Sequence, residues 1–220
     1  MIVTRTALAP AVALVYAPPM TTRTTLLLAT FAVAALSACG AGEAPVARSG
    51  KVVTSGTAQI GGPYTLVDQT GATRTEADFV GKPQLIYFGF ASCPDVCPAA
   101  LTRMGAIANR VDPQGEKMHY ILFTVDPERD TPEALAPYVE SAPFPPGLVG
   151  LTGERENVQA AIDAYRIYAS KREVEGMSDY LYDHSDYIIV MDETGAFSDI
   201  IGPDESVDAA AAELKRDFRL

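Results

Sequence analysis

Two nearly continuous apolar runs of strand length constrain this chain most. They are Gln84-Leu85-Ile86-Tyr87-Phe88-Gly89-Phe90 and His119-Tyr120-Ile121-Leu122-Phe123-Thr124-Val125. A run without polar alternation suits a strand buried on both faces. Ala99 to Arg110 follows the first run and has helical composition, with apolar residues at helical spacing. Thr131-Pro132-Glu133 follows the second and opens a helix, with Thr131 as N-cap and Pro132 at the first helical position. Pro143, Pro145 and Pro146 prevent its continuation beyond about Ser141.

Weaker signals fill in the rest. Pro63 to Asp68, then Gln69-Thr70-Gly71, read as a strand entering a turn, with a short return strand near Ala72 to Thr75. Asp78 to Pro83 is a connection, Leu148 to Leu151 a short strand, and Thr152 a candidate cap for a helix reaching Tyr165. Residues 171–183 are polar, contain Gly176, and read as a mobile loop. Tyr187 to Met191 and Ala196 to Ile201 flank Asp192-Glu193-Thr194-Gly195, a hairpin signature, and Ser206 or Asp208 starts a final helix. Strands alternating with helices, closed by a hairpin and a helix, fit an α/β fold: a thioredoxin-like three-layer sandwich with a central mixed sheet over residues 59–220.

The segment before that domain reads as an address. From Thr21, Arg23 supplies a positive start, Leu26 to Leu36 is a short apolar stretch, and small residues precede Cys39. That is export-signal grammar, and the stretch is too short for a comfortable membrane span. Leu36-Ser37-Ala38-Cys39 resembles the bacterial lipoprotein signal, in which the cysteine is lipidated and becomes the new N-terminus; the alternative is an ordinary signal cut near Ala38. Residues 1–38 are therefore expected to be the export signal, with Met20 as the expected start, and residues 39–58, rich in Gly, Ala and Ser, a flexible tether. The expected location is the bacterial cell envelope, facing the periplasm, with a lipid at Cys39 holding the protein to a membrane.

Charge excludes one class of partner. Seventeen Lys and Arg stand against 28 Asp and Glu, a net −11; removing residues 1–38, which carry Arg5 and Arg23 and no acid, leaves −13. Phosphate contacts need clustered basic residues, so nucleic acid is not an expected partner.

Three cysteines are an odd number for an exported chain. Lipid on Cys39 leaves Cys93 and Cys97 as an even pair. They lie in Cys93-Pro94-Asp95-Val96-Cys97-Pro98, after a buried strand and before a helix. A helix N-terminus carries unpaired N–H groups and partial positive charge, which favour thiolate. Three residues separate the cysteines, so in a helical turn both sulfurs share one face. The pair can be a disulfide, a dithiol or a metal site. Two soft thiolates suit Cu(I), and an added imidazole gives a set that also holds Cu(II).

The chain has two histidines. His119 starts a strand and reads as a surface residue. His184, in Tyr182-Asp183-His184-Ser185-Asp186, lies where a thioredoxin-type layout faces the cysteine turn; spacing alone leaves ligand and ordinary surface or core histidine equally open. Asp95, Asp126 and Asp130 read as solvating, strand-ending or helix-capping acids ahead of any role at a site. Met104, Met118 and Met191 read as core, Met177 as the methionine to watch, and Tyr180 and Tyr182 as neighbours of His184.

Four blocks carry a resemblance. Gly89-Phe90-Ala91-Ser92-Cys93-Pro94-Asp95-Val96-Cys97-Pro98, Val125-Asp126-Pro127-Glu128-Arg129-Asp130-Thr131-Pro132, Leu148-Val149-Gly150-Leu151-Thr152-Gly153 and Tyr182-Asp183-His184-Ser185 closely resemble the Sco/SenC family of copper-delivery proteins, in the family's order. The resemblance implies Cys93, Cys97 and His184 as copper ligands, and a metallochaperone serving the copper-site subunit of cytochrome c oxidase, with other periplasmic copper chaperones as further partners. The alternative is a thiol–disulfide reductase that uses the Cys93/Cys97 pair on the cysteine ligands of that copper site. A peroxidase on the same fold has only the fold in its favour.

Overall fold

The computed structural model describes residues 59–173 and 179–220. Seven strands form a mixed sheet, in the spatial order β2 (Thr73–Thr75), β1 (Thr65–Asp68), β5 (Val149–Thr152), β4 (His119–Thr124), β3 (Gln84–Gly89), β8 (Ile188–Met191) and β9 (Phe197–Ile201). The three central strands run parallel, with Leu85 opposite Tyr120 and Ile121 opposite Val149, and the outer pairs are antiparallel. Every residue of β3 and β8 is buried, and all of β4 after His119, which explains their unbroken apolar sequence.

Helices cover both faces. Helix α1 (Val96–Val111) buries Ala100, Leu101, Met104, Ile107, Ala108 and Val111, spaced three and four apart along one stripe. It packs on β3 and against α4 (Val207–Phe218), and α2 (Pro132–Val139) lies on β5. Successive side chains of a strand point to opposite faces. Gly89 accordingly faces Cys97 on α1, while its neighbour Phe88 faces Tyr165 at the end of α3 (Arg155–Ala164). The three-layer thioredoxin-like arrangement is thus present.

Several local expectations are corrected. A 3-10 turn, Glu76–Phe79, occupies part of the connection before β3 and buries Phe79. Helix α1 begins at Val96, and Pro98 fits its first turn because no N–H is needed there. Thr152 does not cap a helix: it is the buried last residue of β5, opposite Val67, and Glu154 holds the N-cap position of α3. Thr131 caps α2 as expected, accepting from Ala134 N, and of the two candidates for α4 it is Ser206, not Asp208, that caps it, accepting from Ala209 N. The largest correction is at residues 171–183. β6 (Ala169–Glu173) and β7 (Tyr180–His184) pair antiparallel as a separate two-stranded sheet, with Ala169 opposite His184; residues 174–178, including Met177, lie outside the described residues.

Candidate metal centre

The site lies at the carboxyl ends of the parallel strands, where an α/β sheet leaves a crevice. The chain leaves β3 at Gly89 and turns through Phe90 to Asp95 into α1. Asp130 organises that turn. Its carboxylate is 1% exposed and accepts hydrogen bonds from Ala91 N at 3.0 Å and from Thr124 Oγ1 at 2.7 Å. It does not serve the α2 N-terminus, which Thr131 caps. Burial pushes its pKa up, against the pull of those bonds. Asp95 sits exposed at the α1 N-cap position, with no side-chain cap bond.

Cys93 is 8% exposed and Cys97 fully buried; both are free thiols. Cys97 N donates to Cys93 Sγ at 3.4 Å. The Cys97 thiol hydrogen bond brings the Cys93 pKa down most, against the cost of burial, and His184 and the backbone N–H groups of Asp95 and Cys97 add to it, giving about 4. Cys97 is pushed up, because it donates to Cys93 and is buried more deeply. The two thiols are thus driven in opposite directions, Cys93 toward the thiolate and Cys97 away from it.

His184 ends β7. Its Nδ1 lies 3.0 Å from Ser185 O. A carbonyl oxygen only accepts, so Nδ1 carries a proton and is turned away from the cysteines. Nε2 faces Cys97 Sγ at 3.2 Å. The imidazole stands edge-on to Tyr87 and Phe90, each with ring centroids 5.9 Å away. Tyr87 is fully buried, and its hydroxyl donates to Asp186 Oδ1 at 3.1 Å, just beyond the histidine. Tyr182 touches the other ring, Phe90, at 5.9 Å, and Tyr180 packs on Tyr182 and not on the histidine.

The three donor atoms, two Sγ and one Nε2, lie within 4.8 Å of one another, the one such group of His, Cys, Asp and Glu side chains among the described residues. Metal–sulfur bonds of about 2.3 Å and metal–nitrogen bonds of about 2.0 Å imply donor separations of roughly 4 Å around one trigonal ion. The residues therefore fit a soft cation.

The other sequence candidates fall outside this group. His119 is half-buried against Phe79, with ring centroids 5.4 Å apart, and burial lowers its pKa. Met104, Met118 and Met191 are core, as expected. Sequence reasoning missed Tyr87 and Phe90, which read as core strand residues, and Gly89, where a Cβ would lie 3.1 Å from Cys97 Sγ.

Fold and site together define a class: a thioredoxin-like domain whose Cys-x-x-x-Cys pair, one cysteine in the turn before a helix and one in its first turn, meets an imidazole to make a three-donor site. Within that class the chain belongs to the SCO1/SenC family, whose model matches residues 52–219. It is 38% identical over 162 residues to the human protein SCO1 homolog, mitochondrial, covering 73% of this chain and 53% of the relative. It is 40% identical over 157 residues to protein SenC of Rhodobacter capsulatus, covering 71% of this chain and 70% of the relative. The copper-bound structure of ScoI from Bradyrhizobium japonicum matches with TM-score 0.65 at 39% identity, over 71% of this chain and 98% of that one. The chain spans about half the length of the human relative. No helix among the described residues is long and apolar enough to cross a membrane.

Proposed function

We propose that this chain takes up one copper ion at Cys93, Cys97 and His184 and delivers it to the copper-site subunit of cytochrome c oxidase during assembly. The observation that carries the reading is the convergence of two sulfurs and the Nε2 of His184 within 4.8 Å. The copper-bound relative from Bradyrhizobium japonicum supports it. Cu(I) is served by the two thiolates alone, and the imidazole extends the set to Cu(II). Delivery proceeds by ligand exchange, with donors of the receiving subunit replacing these three one at a time. The exposed Val96 and half-buried His184 give a partner access to the edge of an otherwise buried site. The domain works in the bacterial envelope, exported by residues 1–38 and held to a membrane by lipid on Cys39 through the tether 39–58; other periplasmic copper chaperones are its further partners.

The closely placed, oppositely shifted thiols also support a second reading, in which the Cys93 thiolate attacks a disulfide and Cys97 resolves the mixed disulfide. His184 separates the two. His184→Ala is expected to weaken Cu(II) binding at least tenfold and Cu(I) binding far less, to leave a Cys93/Cys97 pair that still cycles between dithiol and disulfide, and to abolish oxidase assembly in cells carrying only the variant. Metal titration in both oxidation states, with zinc as competitor, and an oxidase assay check this. Normal assembly without His184 would sink the three-ligand mechanism and favour the reductase.

A further inference from the structure

Among the described residues, the hairpin that carries His184 pairs with no strand of the main sheet. An isolated two-stranded hairpin is marginal in water, so side chains must hold it in place. Its base is tied by reciprocal bonds of 3.0 Å between Tyr168 and Ser185, and by Tyr87 on Asp186. At its far end the contacts converge on Arg129. Arg129 Nε pairs with the fully buried Asp126, and Nη1 donates to Tyr180 O at 3.0 Å and Asp179 Oδ2 at 2.8 Å. The guanidinium lies 3.9 Å from the centre of the Tyr180 ring, and Lys171 Nζ lies 3.5 Å from the same centre. The Tyr180 hydroxyl stands 2.9 Å from Asp126 Oδ1 and 3.0 Å from Glu128 Oε2, donating to one at a time. Arg129 also lies 5.7 Å from the Phe90 ring, which in turn touches His184.

We propose that Arg129 is a positioning residue for His184: by clamping Tyr180 against Asp126 it fixes the β6–β7 hairpin so that Nε2 stays over Cys97. The inference rests on the three-donor site proposed above. The neighbouring Asp130 holds the cysteine turn through Ala91 N, so one short segment, Asp126 to Asp130, sets both halves of the site. The clamp needs arginine specifically. Nε and Nη1 bond in one plane while the face of the group stacks on a ring, which an ammonium cannot reproduce.

The test uses the full chain with Arg129→Lys, which keeps the charge and loses the fork, and Tyr180→Phe, which keeps the ring and loses only the hydroxyl. In the reduced, metal-free protein, amides of residues 180–184 are expected to exchange at least tenfold faster in Arg129→Lys than in the wild type, and at least threefold faster in Tyr180→Phe, with β3 and α1 amides unchanged. Cu(II) affinity is expected to fall at least tenfold in Arg129→Lys with loss of nitrogen coupling in the Cu(II) electron paramagnetic resonance spectrum, while Cu(I) affinity changes less than threefold. Unchanged hairpin exchange overturns the proposal. So does faster exchange with wild-type Cu(II) affinity and nitrogen coupling, since the clamp would then be structural only. Should Arg129→Lys fail to fold, Tyr180→Phe supplies the same readouts. If the wild type binds neither copper ion, the copper reading fails separately. The clamp is then decided by nuclear Overhauser contacts between the His184 and Tyr87 rings in the metal-free chain; their full retention in both variants overturns it.

Discussion

At Gly89 the absence of a side chain lets Cys97 reach the end of β3. A Cβ there would lie 2.9 Å from Tyr87 Cε1 and 3.1 Å from Cys97 Sγ. The Tyr87 ring is fully buried and cannot swing away. Gly89→Ala gains up to about 1 kcal/mol by restricting the unfolded chain, but overpacking costs about 1–3 kcal/mol, so net destabilisation is expected. Because the sulfur itself must move, Cu(I) affinity should fall as well. Urea midpoints and Cu(I) competition titrations check both; an alanine variant with wild-type stability and affinity would show that the contact yields freely. Single residues were legible where chemistry is local: Cys93 and Cys97 stand out by type, spacing and a following helix. Tyr87, Phe90 and Arg129 were not, because an aromatic in an apolar run and an arginine in a loop look alike whether or not they touch a histidine nearly a hundred or fifty residues away.

Elements show the same contrast between local and distant causes. Helix α1 carries Gly105 in its interior, where alanine would be favoured by about 1 kcal/mol on propensity alone. A Cβ at this position would lie 2.1 Å from Pro143 O and 3.0 Å from Phe144 C, both backbone atoms that cannot rotate aside. Gly105→Ala is therefore expected to destabilise the domain by about 2 kcal/mol or more, visible as a lower urea midpoint; a more stable variant would mean that the 143–144 segment gives way. In the β1–β2 hairpin, Asp68 accepts bonds from Thr70 N and Oγ1, Ala72 N and Arg74 Nε. Burial would raise its pKa, but these bonds outweigh it and bring it to about 2. The folded pKa lies below the unfolded value near 4, so the stabilisation is complete above about pH 4 and lost as pH falls through about 2. At neutral pH it is worth up to about 2 kcal/mol. Asp68→Asn should be less stable than wild type by that order at pH 7, and the gap should close between about pH 4 and pH 2. A gap independent of pH would rule out the charge as its cause. The β6–β7 hairpin escaped the sequence reading because Ser170 to Glu173 are exposed on both faces, so no apolar alternation marks the strand.

At the scale of the whole molecule, the acidic chain of net −11 suits cationic partners. The tether belongs here too. Lipid on Cys39 predicts that wild-type protein stays with membranes through a salt wash, while Cys39→Ser releases a domain that still folds and binds metal. Release of the wild type by salt alone would contradict the lipoprotein reading. By itself the sequence determined the buried strands of the sheet, the cap of α2, the cysteine turn at a helix start and the family. These follow from patterns a few residues long, set by backbone sterics, hydrogen-bond caps and hydrophobic periodicity. Only the tertiary structure decided that His184 meets Cys97 at 3.2 Å with Nδ1 turned to the Ser185 carbonyl, and that Asp126 to Asp130 grips both the cysteine turn and the histidine hairpin. Those are contacts between segments far apart in the chain, and their geometry exists only once packing has fixed the distance between them.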